Sequence, residues 1–160
     1  MADRRALNRG ISLAEVVMVA AIGLTLFAMA VPAAQNDDVA GTVARNIVSD
    51  AVRARSHARR SWETVTMQID ITNERWRTLK QDGTFLASTG IDANGWHNAP
   101  PGVDFRQVEG MPTDLTFLPN GRASESTAVR IHIGTKQWEI RVDALSARVV
   151  AEPVSESQTP

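Results

Sequence analysis

From Ile11 to Ala34 the chain reads ISLAEVVMVAAIGLTLFAMAVPAA, and Glu15 is its only ionisable side chain. Val16–Ala34 alone gives 19 residues without a charge, close to the roughly 20 needed to cross a hydrocarbon core as helix. The ten residues before it, MADRRALNRG, carry Arg4, Arg5 and Arg9 against one acid, Asp3. Cations beside a span tend to stay cytoplasmic, so everything after Ala34 is expected on the far side of the membrane. A secretory signal also has a basic start and an apolar stretch, and Ala28-Met29-Ala30 has the small residues of a cleavage site. Its apolar region, about 7–15 residues, is shorter than this one and does not open on a carboxylate.

Glu15 constrains the run further. A carboxylate at the centre of a spanning helix costs about 2.5–3.5 kcal/mol on insertion scales, and less near the interface. Such groups usually have a partner. The nearest cation that the chain could supply is an amino group at position 11, which would exist only after a cut between Gly10 and Ile11.

The remaining composition supports one domain beyond the apolar run. The chain has 160 residues, 43% of them apolar and 22% charged, with 17 Lys+Arg against 18 Asp+Glu. This is a globular composition, and its balanced charge gives no whole-chain case for nucleic acid. The absence of cysteine excludes disulfides, thiolate metal sites and cysteine nucleophiles.

Between Val39 and Ser61 the pattern has a helical period. Ala40, Ala44, Ile47, Ala51, Ala54 and Ala58 form one stripe, flanked by Val39, Val43, Val48 and Val52. Asp37 and Asp38 precede it and Arg53, Arg55, Arg59 and Arg60 crowd its end, as the helix dipole favours. One long helix from Ile11 to Ser61 is expected, kinked or opened at Pro32.

After Ser61 the period changes to two. Val65, Met67, Ile69 and Ile71 alternate with polar residues. Further strands are expected around Trp76–Leu79, Thr84–Ser88, Val103–Val108, Leu115–Leu118, Val129–Ile133, Gln137–Val142 and Ala147–Ala151. Turns are expected at Asn73-Glu74, Asp82-Gly83, Pro119-Asn120-Gly121 and Gly134-Thr135-Lys136. Gly90–Gly102, with three glycines and two prolines, reads as a loop.

Arg9-Gly10, then Ile11-Ser12-Leu13-Ala14-Glu15 and an apolar run, resembles the leader of type IV prepilins and type II secretion pseudopilins. The resemblance implies that a prepilin peptidase cuts after Gly10 and methylates the new amine of Ile11. It makes Glu15 an assembly and register residue, and Pro32 the proline that interrupts the helix. The chain departs from the family's preferred Phe at the new N-terminus, having Ile11. The C-terminal part is similar to H-type pseudopilins and their minor-pilin relatives, the GspH/FimT family. The similarity lies in Leu115–Gly121, Val129–Val142 and Ser146-Ala147-Arg148-Val149-Val150, with Ala147 standing where the group has glycine.

The resemblance implies an α+β, pilin-like fold: a long N-terminal helix, transmembrane in its first half, packed on a C-terminal antiparallel β-sheet domain. The expected organisation is a leader over 1–10, a transmembrane half over 11–34, and an exposed half of the helix over 35–61. A β-rich domain over 62–151 and a flexible tail over 152–160 follow. The implied role is a minor pseudopilin of a type II secretion system, assembling into a periplasmic pseudopilus. The alternative is a minor type IV pilin in pilus priming or DNA uptake. Partners would be other pseudopilins or pilins, the prepilin peptidase and inner-membrane lipid.

Other chemistry is weakly signalled. His57, His97 and His132 are isolated in sequence, so no metal site is expected. Asp92-Ala93-Asn94-Gly95 lacks the later acids of a calcium loop, and no G-x-S-x-G occurs. No catalysis and no cofactor are expected. Arg45, Arg53 and Arg60 point away from the alanine stripe and are candidates for partner or DNA contact. The absence of lysine near them, and Glu152 and Glu156 in the tail, disfavour DNA.

Overall fold

The structure is a computed structural model and describes residues 13–22 and 38–154. Gly10, Ile11 and Pro32, the leader and part of the apolar run lie outside the described residues. The chain divides into two units, Met1–Asp37 and Asp38–Pro160. In the first, residues 13–22 are helical (α1) and exposed throughout. Among the described residues no helix is long and apolar enough to cross a membrane, and the expected span at 11–34 includes residues outside them.

The second unit opens with α2 (Val39–Ser61). Asp38 caps it by accepting the Gly41 N–H at 2.9 Å, and also accepts the Trp138 indole N–H at 3.1 Å. Arg59 and Arg60 occupy its last turn, where the dipole favours cations. The alanine stripe is fully buried: Ala40, Ala44, Ile47, Ala51, Ala54 and Ala58 have no exposed surface. Val43 joins them, whereas Val52 is half exposed. Small side chains on the stripe let the helix approach two sheets closely.

One sheet contains β1 (Val65–Asp70), β2 (Arg75–Leu79), β3 (His97–Asn98) and β5 (Leu115–Phe117), in the order β3-β2-β1-β5. The other contains β4 (Asp104–Gln107), β6 (Thr127–Ile133), β7 (Lys136–Val142) and β8 (Val149–Pro153), in the order β4-β6-β7-β8. All pairings are antiparallel. The fold is therefore pilin-like, but its β part is two four-stranded sheets. Val65, Met67 and Ile69 alternate inward on β1, and Phe105, Leu115, Phe117, Val129, Ile131 and Ile140 complete the core under α2.

Three local expectations are corrected. Thr84–Ser88 is not a strand, and only Phe85 bridges to Leu79. The edge of β2 that it would extend along is occupied by His97 and Asn98, which pair with Trp76 and Arg75. Those two residues form β3 inside the expected Gly90–Gly102 loop, held by the His97 ring stacked on Trp76 at 5.1 Å. Beside it, Trp96 lies under the guanidinium groups of Arg75 and Arg77, at 4.4 and 4.2 Å. The last strand is shifted from Ala147–Ala151 to Val149–Pro153, so Glu152 and Pro153 pair with β7 and do not belong to a free tail. The shift follows from Ala147, whose backbone takes φ 48 and turns the chain before the strand can start.

Candidate assembly surface

The side of α2 opposite its buried stripe is a second stripe. Thr42, Asn46, Ser49, Val52 and Ser56 are exposed at spacings of 4, 3, 3 and 4, so they share one helical face. All are small or medium in size, and Arg45, Arg53 and Arg60 are interleaved with them on the same face.

The three arginines singled out in the sequence lie on this same face but do not converge. Arg45 donates to Thr42 Oγ1 at 3.2 Å and lies 5.7 Å from the Trp138 ring centroid. Arg53 donates to Asp50 Oδ1 at 2.6 Å. Arg60 is exposed near the Ser56 carbonyl, at 3.4 Å. Fifteen residues separate Arg45 from Arg60, roughly 22 Å along a helix. They do not form one site, and Arg53 already has its counter-ion. Glu15 lies on α1, exposed.

Asp50 is the centre of a polar cluster that periodicity does not reveal. It is buried on α2, accepts from Arg53, and accepts the Trp76 indole N–H at 2.9 Å. His97 Nε2 lies 3.4 Å from the same carboxylate. The cluster joins α2, β2 and β3. Arg55 joins the helix to two turns: it donates to the Gly121 carbonyl at 2.9 Å and the Ser146 carbonyl at 3.0 Å.

The remaining histidines are locally bonded. His57 meets Glu63 at 2.7 Å, and His132 meets Gln137 at 2.8 Å. Burial pushes the His132 pKa down, and the neighbouring Arg106 and Arg130 add to this against Asp104. Asp92 accepts backbone N–H groups from Trp96 and Asn94, at 2.9 and 2.8 Å, which hold its carboxyl below the ordinary range. It thus serves a turn.

The outer face of the second sheet carries a charged row, with Arg106, Arg130, Glu139 and Glu152 paired in register across four strands. Glu139 is only 5% exposed and takes bonds from Arg130 at 2.7 Å and from Arg141. Burial opposes its ionisation, but the two guanidinium groups outweigh that and hold the carboxyl below its ordinary value.

Solved structures share this fold. The minor pseudopilin EpsH from the type 2 secretion system of Vibrio cholerae superposes with a TM-score of 0.56 at 16% identity, over 72% of this chain and 98% of that one. The type IV minor pilin FimU of Pseudomonas aeruginosa superposes with a TM-score of 0.51 at 15% identity, over 75% and 91%. At such identities these likenesses establish the fold alone. No curated protein matches the chain in sequence. The sequence model of the family described as type II transport protein GspH matches residues 43–146, more than half of the chain, from Val43 on α2 through the sheets up to the turn before β8, and the chain belongs to that family.

Proposed function

We infer that this chain is a minor pseudopilin of a type II secretion system, a structural subunit that assembles with other pilin-like subunits into a periplasmic pseudopilus. The family match over residues 43–146 carries this reading. Two surfaces support it. The outward face of α2, where Thr42, Asn46, Ser49, Val52 and Ser56 alternate with Arg45, Arg53 and Arg60, offers polar contacts to neighbouring subunits. On α1, Leu13, Val16, Val17, Met18, Val19 and Ile22 are each more than half exposed. A helix that is apolar all round needs lipid or protein around it.

In this reading, inner-membrane lipid holds the N-terminal segment before assembly, with the C-terminal domain in the periplasm. A prepilin peptidase removes residues 1–10 and methylates Ile11. Neighbouring helices then replace lipid around the apolar run, and Pro32 lets the helix adjust between its two environments. Glu15 meets the Ile11 amine of an adjacent subunit and sets the axial register.

Deletion of the gene tests the assignment. Loss of protein secretion, with type IV pili retained, is the expected result. Retained secretion with lost piliation or lost DNA uptake would assign the chain to a type IV pilus.

A further inference from the structure

α2 starts at a fastening that joins the helix to the second sheet. Asp38 precedes it with φ −71 and ψ 75, far from the ψ of about −42 of a helix. The Asp38 carbonyl accepts the Thr42 N–H at 2.8 Å, the bond that opens the α2 ladder. Its Oδ1 accepts both the Gly41 N–H at 2.9 Å and the Trp138 indole N–H at 3.1 Å. Trp138 lies on β7, paired with Ile131 of β6 and Pro153 of β8. The indole also depends on Gly41, because a Cβ there would lie 2.8 Å from Trp138 Cε2. One turn further on, the Arg45 guanidinium stands 5.7 Å from the ring centroid. Asp38, Gly41 and Arg45 share one side of the helix, and together they seat the indole.

These bonds exclude a helix that runs through Asp38. In such a helix the Gly41 N–H would belong to the carbonyl four residues back, at position 37. An Asp38 with helical backbone would also turn its side chain toward the preceding turn and away from the Gly41 N–H. The Trp138 indole would then lose its acceptor. The capped start and the continuous helix are therefore alternatives that compete for one donor. A plain cap would need Asp38 alone, whereas here a side chain of the sheet holds the same oxygen and so weighs on which alternative is populated.

We propose that Asp38 and Trp138 form a latch that holds α2 capped, and that helices of pilin-like subunits packing on the chain before Asp38 release it into one helix continuous with α2. Release by neighbours rests on the pseudopilin reading; the latch itself does not. Helices packed side by side gain more contact from an unbroken helix than from one interrupted at Asp38. They thus bind the released state better, which is the condition for shifting the equilibrium.

The test measures helix continuity across Asp38 in the full-length chain in detergent. The chain has no cysteine, so Ala34→Cys with Val52→Cys takes one spin label on each side of the latch without background. A continuous helix sets these two Cα atoms about 27 Å apart. The wild type should show only a minor population at that distance. Trp138→Phe, which keeps the cap and removes the indole N–H, should raise it about fivefold, the usual worth of one hydrogen bond. Asp38→Ala should raise it further, and Asp38→Asn, which keeps the accepting oxygen, should match the wild type. Adding the pilin-like subunits of its own system to the wild type should make this population dominant. Equal distributions for the wild type, Trp138→Phe and Asp38→Ala would overturn the latch and leave the pseudopilin reading standing. Faster hydrogen exchange at the Gly41 amide in Asp38→Ala, with no gain near 27 Å, would reduce Asp38 to a plain cap and overturn the latch too. A subunit that binds while the wild-type distribution stays fixed would overturn release by neighbours alone. Failure of every pilin-like subunit to bind would overturn the pseudopilin reading, and release with it.

Discussion

Asp50 on α2 accepts the indole N–H of Trp76 on β2 at 2.9 Å, and both residues are almost entirely removed from solvent. This bond fixes the helix to the first sheet at a point where the alanine stripe supplies only short contacts. A buried donor left without its acceptor costs about 1–3 kcal/mol. Asp50→Ala strands the buried Trp76 N–H and removes the counter-ion of the part-exposed Arg53. It should lower stability by about 2–3 kcal/mol in urea unfolding. Thr42→Ala, on the exposed face of the same helix, should stay within about 0.5 kcal/mol of wild type.

Gly41 tests packing against propensity. Alanine is favoured over glycine inside a helix by about 1 kcal/mol. Here a Cβ would sit 2.1 Å from Asp38 Oδ2 and 2.8 Å from Trp138 Cε2. It would push the capping carboxylate off the Gly41 N–H and the Trp138 indole. Gly41→Ala should therefore destabilise by about 1–2 kcal/mol, the range for a lost cap. A rise in the unfolding midpoint would show that the cap relaxes without loss.

Ala147 tests the backbone. It is buried, at φ 48, where a side chain costs about 1–2 kcal/mol. Ala147→Gly removes that strain but also a buried methyl and some chain stiffness, so it should fall within about 1 kcal/mol of neutral. Ala54→Gly, in the helix, should cost about 1 kcal/mol or more because there is no strain to relieve. Equal losses at the two sites would mean that φ at Ala147 is not restrictive.

Stability should fall with acid in two stages. His132 has a lowered folded pKa, from burial first and then from Arg106 and Arg130. The unfolded chain therefore binds its proton more readily, and stability declines as pH drops below about 6.5. Glu139 has a carboxyl lowered by Arg130 and Arg141 despite burial. Its contribution is complete above the ordinary carboxylate range near pH 4 and is lost as pH falls through the folded value. Asp70 is lowered by Asn73 and Arg75 and has the same sign. Chemical unfolding across pH 3–7.5 should show both stages. His132→Gln should remove the upper one and Glu139→Gln should shrink the lower.

The parts of this architecture that repeat were readable, and the parts that depend on single partners were not. Six stripe positions of α2 and the alternation of Val65, Met67 and Ile69 follow from period alone, and each is buried. The turn expected at Gly134-Thr135-Lys136 is present but shorter, because Lys136 already pairs with Ile133 across Gly134-Thr135. The strand expected at Thr84–Ser88 had the right local composition, but its edge was taken by His97 and Asn98 from a glycine- and proline-rich stretch. Asp50, Arg55 and Glu139 gave no sequence signal, because their partners lie 26, 66 and 9 residues away. Trp62 stands where the period changes after Ser61, and its left-handed backbone is visible only in three dimensions.

The last prediction concerns Glu15. A carboxylate at membrane depth makes insertion less favourable by up to about 2.5–3.5 kcal/mol at the centre and by less near the interface. An apolar residue in its place would insert more easily, so its value lies in a later step. An amine at Ile11 exists only once the chain is cut after Gly10, and mass spectrometry of the mature protein should find Ile11 first, with one added methyl. A mature start near Ala30 would instead mean ordinary signal peptidase and would end the prepilin reading. Within one helix the amine lies at the positive end of the dipole, a poor place for a cation. In the proposed pairing the amine and the carboxylate of staggered subunits would meet in a low-dielectric core, where a charge without its partner is strongly penalised. Glu15→Val should thus be inserted and cleaved as wild type or better, and should crosslink poorly to neighbouring subunits. A subunit at the tip has no neighbour above it, so the variant is scored at contacts already mapped for the wild type. If Glu15→Val forms those contacts and supports secretion in full, the pairing does not set the register.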